Sequence, residues 1–224
     1  MALSLAQFLT LSKDESVQII DTRIDAEFLQ GYIPGSIHVA LEEIKTLNAL
    51  KIIEQDCPII LVCDQGTEEI LIKRFELLGY TQVRGYLQGG FATWSEAGQK
   101  IDLIIEVEVD ELAMDIPFDE YLMILDIRAE EVYDKGHIKD SIHLPLIEFG
   151  DPGAMSELDE HFNIYIIDDL GKQLLLAASV LKKQGIHNIR IVQDGWDAVE
   201  FLKNKFTIVA SPKKDANSEN FLDN

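Results

Sequence analysis

The chain has 224 residues, 47% hydrophobic and 26% charged, the profile of a soluble globular protein with room for one large or two modest domains. Lysine and arginine number 19 against 40 acidic residues, a formal net charge of −21. That charge excludes non-specific nucleic-acid binding and docking on anionic lipid, both of which need a basic surface. A small anionic substrate would need a locally positive pocket, because the global field repels it.

In chain order, residues 1–6 offer no basic residue before Lys13 and make a poor signal peptide. Residues 17–21 and 59–62 read as short buried strands, continuous in apolar residues as a two-sided parallel sheet requires. A glycine-containing loop and a helix over 69–78 follow, then a strand at 82–84. The series then returns as strands at 121–125 and 164–167, a helix over 172–184 and a strand at 188–192. No apolar run approaches the roughly 20 residues of a membrane helix. Cys57 and Cys63 are too few for a disulfide scaffold and point to free thiols in a reducing compartment. A cytoplasmic protein is expected.

The return keeps one register. At a shift of 105 residues, Ile19-Ile20-Asp21-Thr22-Arg23 meets Ile124-Leu125-Asp126-Ile127-Arg128, and Gly31 to His38 meets Gly136 to His143. The same shift aligns Gly66 with Gly171 and Gly90-Phe91 with Gly195-Trp196. Two copies of one unit are therefore predicted, residues 1–102 and 103–209, with a disordered tail over 210–224. Strand, loop, helix, strand at this spacing means α/β units, each a mostly parallel sheet flanked by helices. Ligands in such sheets bind beyond the carboxyl ends of the strands.

Cys63 stands at such an end and opens the loop Cys63-Asp64-Gln65-Gly66-Thr67-Glu68. Convergent loop amides and the following helix N-terminus favour a thiolate, so a lowered pKa and nucleophilic character are expected. Gly66 permits the tight curvature. Cys57, before Pro58, has no helix terminus to activate it and reads as structural or incidental. Thr67 reads as the helix N-cap, with Glu68 and Glu69 favourable in the first turn. The Asp21/Arg23 and Asp126/Arg128 pairs and His38 and His143 recur in both units, including the one without a cysteine, and so read as scaffold. Trp94 and Trp196 read as core anchors. His137, His161 and His187 show no paired ligand spacing, so no metal site and no cofactor is expected.

Asp21-x-Arg23, Glu27-Phe28, Gly31 to His38, Cys63-x-x-Gly66 and Gly89-Gly90-Phe91 with Trp94 together resemble a rhodanese domain. Asp126-x-Arg128, Gly136-His137-Ile138 and Asp194-Gly195-Trp196 resemble a second one. The resemblance implies two rhodanese-like domains in tandem and a sulfurtransferase. It also implies that Cys63 is the catalytic nucleophile and persulfide carrier, cradled by the amides of Asp64, Gln65, Gly66, Thr67 and Glu68. The implied partners are a small-molecule or protein sulfur donor and a thiol or protein acceptor. The alternative is a non-catalytic rhodanese-like binding or regulatory module.

Two departures shape the expectation. The second unit carries Asp168 where the first has Cys63, and a carboxylate cannot form a persulfide, so that unit is expected to be inactive and to shape one wall of the cleft. The loop is acidic where thiosulfate-using relatives tend to be basic. A unit charge about 5 Å away at an effective dielectric near 20 is worth roughly 3 kcal/mol. The helix dipole offers only about 0.3–1 kcal/mol. Thiosulfate should then be a weak substrate unless Lys73, Arg74 or the second unit compensates. A phosphatase would need arginine six positions after the cysteine, where Glu69 stands.

Overall fold

The computed structural model describes residues 1–41, 43–151, 153–155 and 158–212, so residues 213–224 of the expected tail lie outside the described residues. The first unit runs β1 (Ala2–Leu3), α1 (Leu5–Leu11), β2 (Gln18–Asp21), α2 (Asp25–Leu29), β3 (Ser36–His38), α3 (Leu47–Leu50), β4 (Ile59–Val62), α4 (Glu68–Leu77), β5 (Val83–Leu87) and α5 (Gly90–Glu96). The second runs β6 (Ile105–Val107), α6 (Val109–Asp115), β7 (Leu122–Asp126), α7 (Glu130–Tyr133), β8 (His137–Ile138), β9 (Ile142–His143), β10 (Asn163–Ile167), α8 (Leu174–Lys183), β11 (Ile189–Val192), α9 (Gly195–Phe201) and β12 (Ile208–Val209).

Each unit builds a five-stranded parallel sheet, ordered β1-β5-β4-β2-β3 and β6-β11-β10-β7-β9. The two orders correspond strand for strand. The strands expected at 59–62 and 164–167 occupy the centre, buried on both faces, which is why their apolar runs are continuous. An antiparallel pair, β8 with β12, is added beside the second sheet.

Both aspartate–arginine pairs are buried at the ends of β2 and β7. Arg23 grips Asp21 through Nε at 3.0 Å and a terminal nitrogen at 2.7 Å, then donates to Gly31 O at 3.0 Å. Arg128 repeats this with Asp126 at 2.9 and 2.6 Å and with Gly136 O at 2.9 Å. The guanidinium carbons lie 4.1 Å over the Phe91 ring and 3.7 Å over the Trp196 ring. His38 and His143 meet the Arg23 and Arg128 carbonyls at 2.9 and 2.8 Å. These residues pin the crossover after the second-positioned strand of each unit to the helix that follows the last.

The units differ in one helix. In α4 only Leu71 and Phe75 are buried, whereas every residue of α8 from Leu174 to Leu181 is buried. A helix apolar all round belongs inside, and α8 lies in a core cluster shared by residues of both units. It covers β3, the edge strand of the first sheet, and the Ser179 hydroxyl accepts the His38 backbone N–H at 2.9 Å. An edge that would otherwise offer free backbone groups is closed by the other unit.

Candidate active site

Cys63 follows β4 directly and forms part of the floor of an open cleft of about 580 Å³, lined also by Arg23, Asp64, Gln65, Gly90 and Phe91. Its residue is 5% exposed. The N-terminus of α5 closes on it: a Cβ at Gly90, which has φ of +61°, would lie 2.9 Å from the Cys63 carbonyl oxygen. Only glycine allows that approach.

The five loop residues expected to cradle the sulfur divide. The Gly66 amide donates to Glu68 Oε2 at 2.8 Å, and the Thr67 amide donates to Asp64 O at 3.2 Å. Among the described residues, the amides of Asp64, Gln65 and Glu68 have no acceptor within the protein. Thr67 holds the N-cap position, but its hydroxyl donates backward to Asp64 O at 2.7 Å and accepts no helix amide. It tightens the loop instead of capping the helix.

The expected lowering of the Cys63 pKa is corrected by the structure. Burial pushes the thiol up to about 11, and the carboxylates of Glu68, Asp64 and Asp21 add to the rise, while the Thr67 hydroxyl pulls the other way. A thiolate stripped of water beside three anions is poorly stabilised whatever the helix dipole contributes. Nothing among the described residues of the cleft compensates for those anions, in line with the expectation that thiosulfate binds poorly. Arg23 is the one cation lining the cleft among the described residues, and Asp21 occupies it. Arg74 turns away to the Leu41 carbonyl at 3.1 Å. Among the described residues the second unit supplies no wall, correcting the expectation that it would: those lining the cleft all belong to the first.

Position 168 shows what the same loop does with a built-in anion. Asp168 is buried at the end of β10, where its carboxylate accepts the Gly171 amide and, at 2.8 Å, the Gln173 amide. Burial raises its pKa, against the pull of those two amides. The amide nest is intact in the second unit and filled by its own side chain.

Cys57 lies at the opposite end of β4, in a pocket of about 450 Å³ shared with Phe149 and Lys183 of the second unit. An extended strand climbs about 3.3 Å per residue, so the two thiols face opposite ends of the sheet. Cys57 therefore does not reach the Cys63 sulfur. Its own Sγ donates to Glu54 Oε2 at 3.4 Å. Among the described residues, Glu54, Asp56 and Cys57 are the group whose possible metal-ligand atoms fall within 4.8 Å of one another, on an exposed turn. No helix among the described residues is long and apolar enough to cross a membrane.

The family model described as "Rhodanese-like domain" matches residues 4–97 and again residues 108–201. The chain belongs to the rhodanese-like family. It carries two such domains in tandem, and the paired five-stranded sheets are those two domains. The chain is 34% identical over 113 residues to a Bacillus subtilis (strain 168) protein named "Putative sulfur carrier protein YrkF". That match takes in 50% of this chain and 58% of the relative, so the chain spans little more than half the relative's length. Among solved structures, a thiosulfate sulfurtransferase from Pseudomonas aeruginosa aligns at 17% identity over 94% of this chain and 44% of its own, with a TM-score of 0.39. The 3-mercaptopyruvate sulfurtransferase SseA of Escherichia coli aligns at 16% identity over 87% of this chain and 98% of its own, with a TM-score of 0.38.

Proposed function

We propose that this rhodanese-like protein moves a sulfane sulfur through a persulfide on Cys63. The reading is supported above all by the place of Cys63, a thiol on the floor of an open cleft at the carboxyl end of the central strand, followed by three loop amides without an acceptor. In the first half-reaction the Cys63 sulfur attacks the outer sulfur of a donor R–S–SH. The donor S–S bond breaks, R–SH leaves, and Cys63–S–SH remains. In the second, an acceptor thiol takes that outer sulfur and its proton returns to Cys63. The amides of Asp64, Gln65 and Glu68 would hold the charge on the transferred sulfur, and Gly66 would join them when Glu68 lets go.

The acidic mouth, and a cleft whose one cation among the described residues is already held by Asp21, favour a low-molecular-weight or protein persulfide over thiosulfate, a dianion. The name of the Bacillus subtilis relative agrees with a sulfur carrier. In this reading residues 1–102 form the catalytic unit. Residues 103–209 form a non-catalytic one, since Asp168 fills its own nest.

Exposure to thiosulfate, mercaptopyruvate and glutathione persulfide in turn, followed by intact mass, tests the proposal. A gain of one sulfur that Cys63→Ser loses and Cys57→Ser keeps is expected. No gain from any donor would leave the binding-module reading in its place.

A further inference from the structure

The second unit has an open groove of its own, between α6 and α9, of about 790 Å³. Leu170, 50% exposed, and Phe201, 86% exposed, stand in it beside the buried Val109. Every charged residue lining it is acidic: Glu108, Asp110, Glu111, Asp194 and Asp197. The rim already draws in one ammonium of the protein, Lys205 Nζ lying 2.9 Å from Asp110 Oδ1.

The first unit is not built this way. At the shift of 105, Leu170 replaces Gln65, Asp194 replaces Gly89 and Asp197 replaces Ala92. Asp194 keeps the left-handed conformation of Gly89, with φ of +59° against +77°, so a carboxylate stands where the backbone favours glycine. Charge of the first unit is felt beside the groove. The Glu106 carboxyl, beside it, is held above its usual range by burial and then by Glu108, Asp194 and Asp25. Asp25 belongs to the first unit and lines a cleft together with Asp64, the neighbour of Cys63.

We infer that this groove docks a basic protein segment, lysines or arginines flanking an apolar side chain, carried by the partner that exchanges sulfur with Cys63. The apolar anchor sits on Leu170 and Phe201, and the flanking cations meet the carboxylates of the rim. The inference rests on the proposed persulfide chemistry for the identity of the partner, and on the groove alone for the docking.

The test uses the full chain and two peptides, acetyl-Lys-Leu-Lys-Cys-Lys-Phe-Lys-amide and its counterpart with glutamate for lysine. Calorimetric titration of the unloaded protein reads docking. At about 50 mM salt the lysine peptide should bind at least about tenfold more tightly, with the gap closing to about threefold near 0.5 M as screening shortens the reach of the rim. Asp194→Gly, which restores the residue of the first unit, and Phe201→Ser, at an exposed position, should each weaken the lysine peptide about fivefold or more. Equal binding of the two peptides, or variants that bind like the wild type, overturns the docking surface even if Cys63 carries sulfur. Intact mass of the lysine peptide after mixing with sulfur-loaded protein reads transfer. A peptide that docks while Cys63 accepts sulfur from no donor upholds the groove and overturns the identity of its occupant.

Discussion

Positions 63 and 168 occupy the same step of the same fold, each just past the central strand and each followed by a loop with a left-handed glycine. In the second unit the side chain at that step turns into the loop and takes two of its amides. In the first it is a thiol, and the equivalent glycine amide is taken by Glu68 from within the loop. Both units therefore answer the same electropositive loop with a carboxylate, but only the first leaves the strand-end side chain free to react. The difference separates two uses of one nest, a structural anchor in the second unit and the pocket proposed for sulfur transfer in the first.

The largest way to break this comparison is Cys63→Ser, expected to abolish sulfur loading in intact-mass measurements. A protein that still loads one sulfur, with Cys57 intact or replaced, would move the chemistry elsewhere. Next comes pH. With the thiol at about 11, loading of wild type should climb about tenfold per pH unit from 7 to 10, because the thiolate fraction is only about one in ten thousand at pH 7. A rate already level at pH 8 would mean that burial and the acidic loop do not hold the thiol protonated.

Charge sharpens the comparison further. Glu68→Lys frees the Gly66 amide and reverses a charge at the cleft, and thiosulfate turnover should rise about tenfold. Unchanged or falling turnover would show that the loop carboxylate does not select the donor.

Stability should divide the two positions in the opposite sense. Asp168→Ala leaves the Gly171 and Gln173 amides without their acceptor and should lower unfolding stability by about 2–3 kcal/mol. Cys63→Ala should cost about 1 kcal/mol, since a small buried side chain is trimmed and no buried amide loses its acceptor. Urea melts of the pair check this, and equal losses would deny Asp168 its anchoring role. The smallest effect concerns the seam between the units. Ser179→Ala orphans the His38 amide on a closed sheet edge and should cost about 1–2 kcal/mol.

Much of this was legible from residue order. The central strands at 59–62 and 164–167 were found to within one residue, because a run of apolar residues in a two-sided parallel sheet leaves no other pattern. The shorter edge strands β1, β3, β6 and β9, of two or three residues each, carry too little pattern to be read. The helix over 172–184 was placed, while its burial between the two sheets was not. The all-round apolar run from Leu174 to Ala178 was the available signal.

At the candidate site, residue order placed Cys63 at a strand end before a glycine loop and showed the substitution at 168. It misjudged the thiol, because the helix dipole is a local property while burial is set by everything packed around the strand end. The hydroxyl of Thr67 also took a partner other than the helix amide expected, choosing among several groups within three residues, while Glu68 and Glu69 do stand in the first turn.

What the sequence by itself determined is the duplication, the alternation of strand and helix repeated in each copy, and which copy keeps a sulfur. These depend on residue identity and spacing, which are local and repeat in register. Only the tertiary structure decided that α8 seals the edge of the other unit, that the cleft draws its walls from one unit alone, and that the thiol is held protonated. Those outcomes come from contacts between residues far apart in the chain, and desolvation is a sum over such contacts.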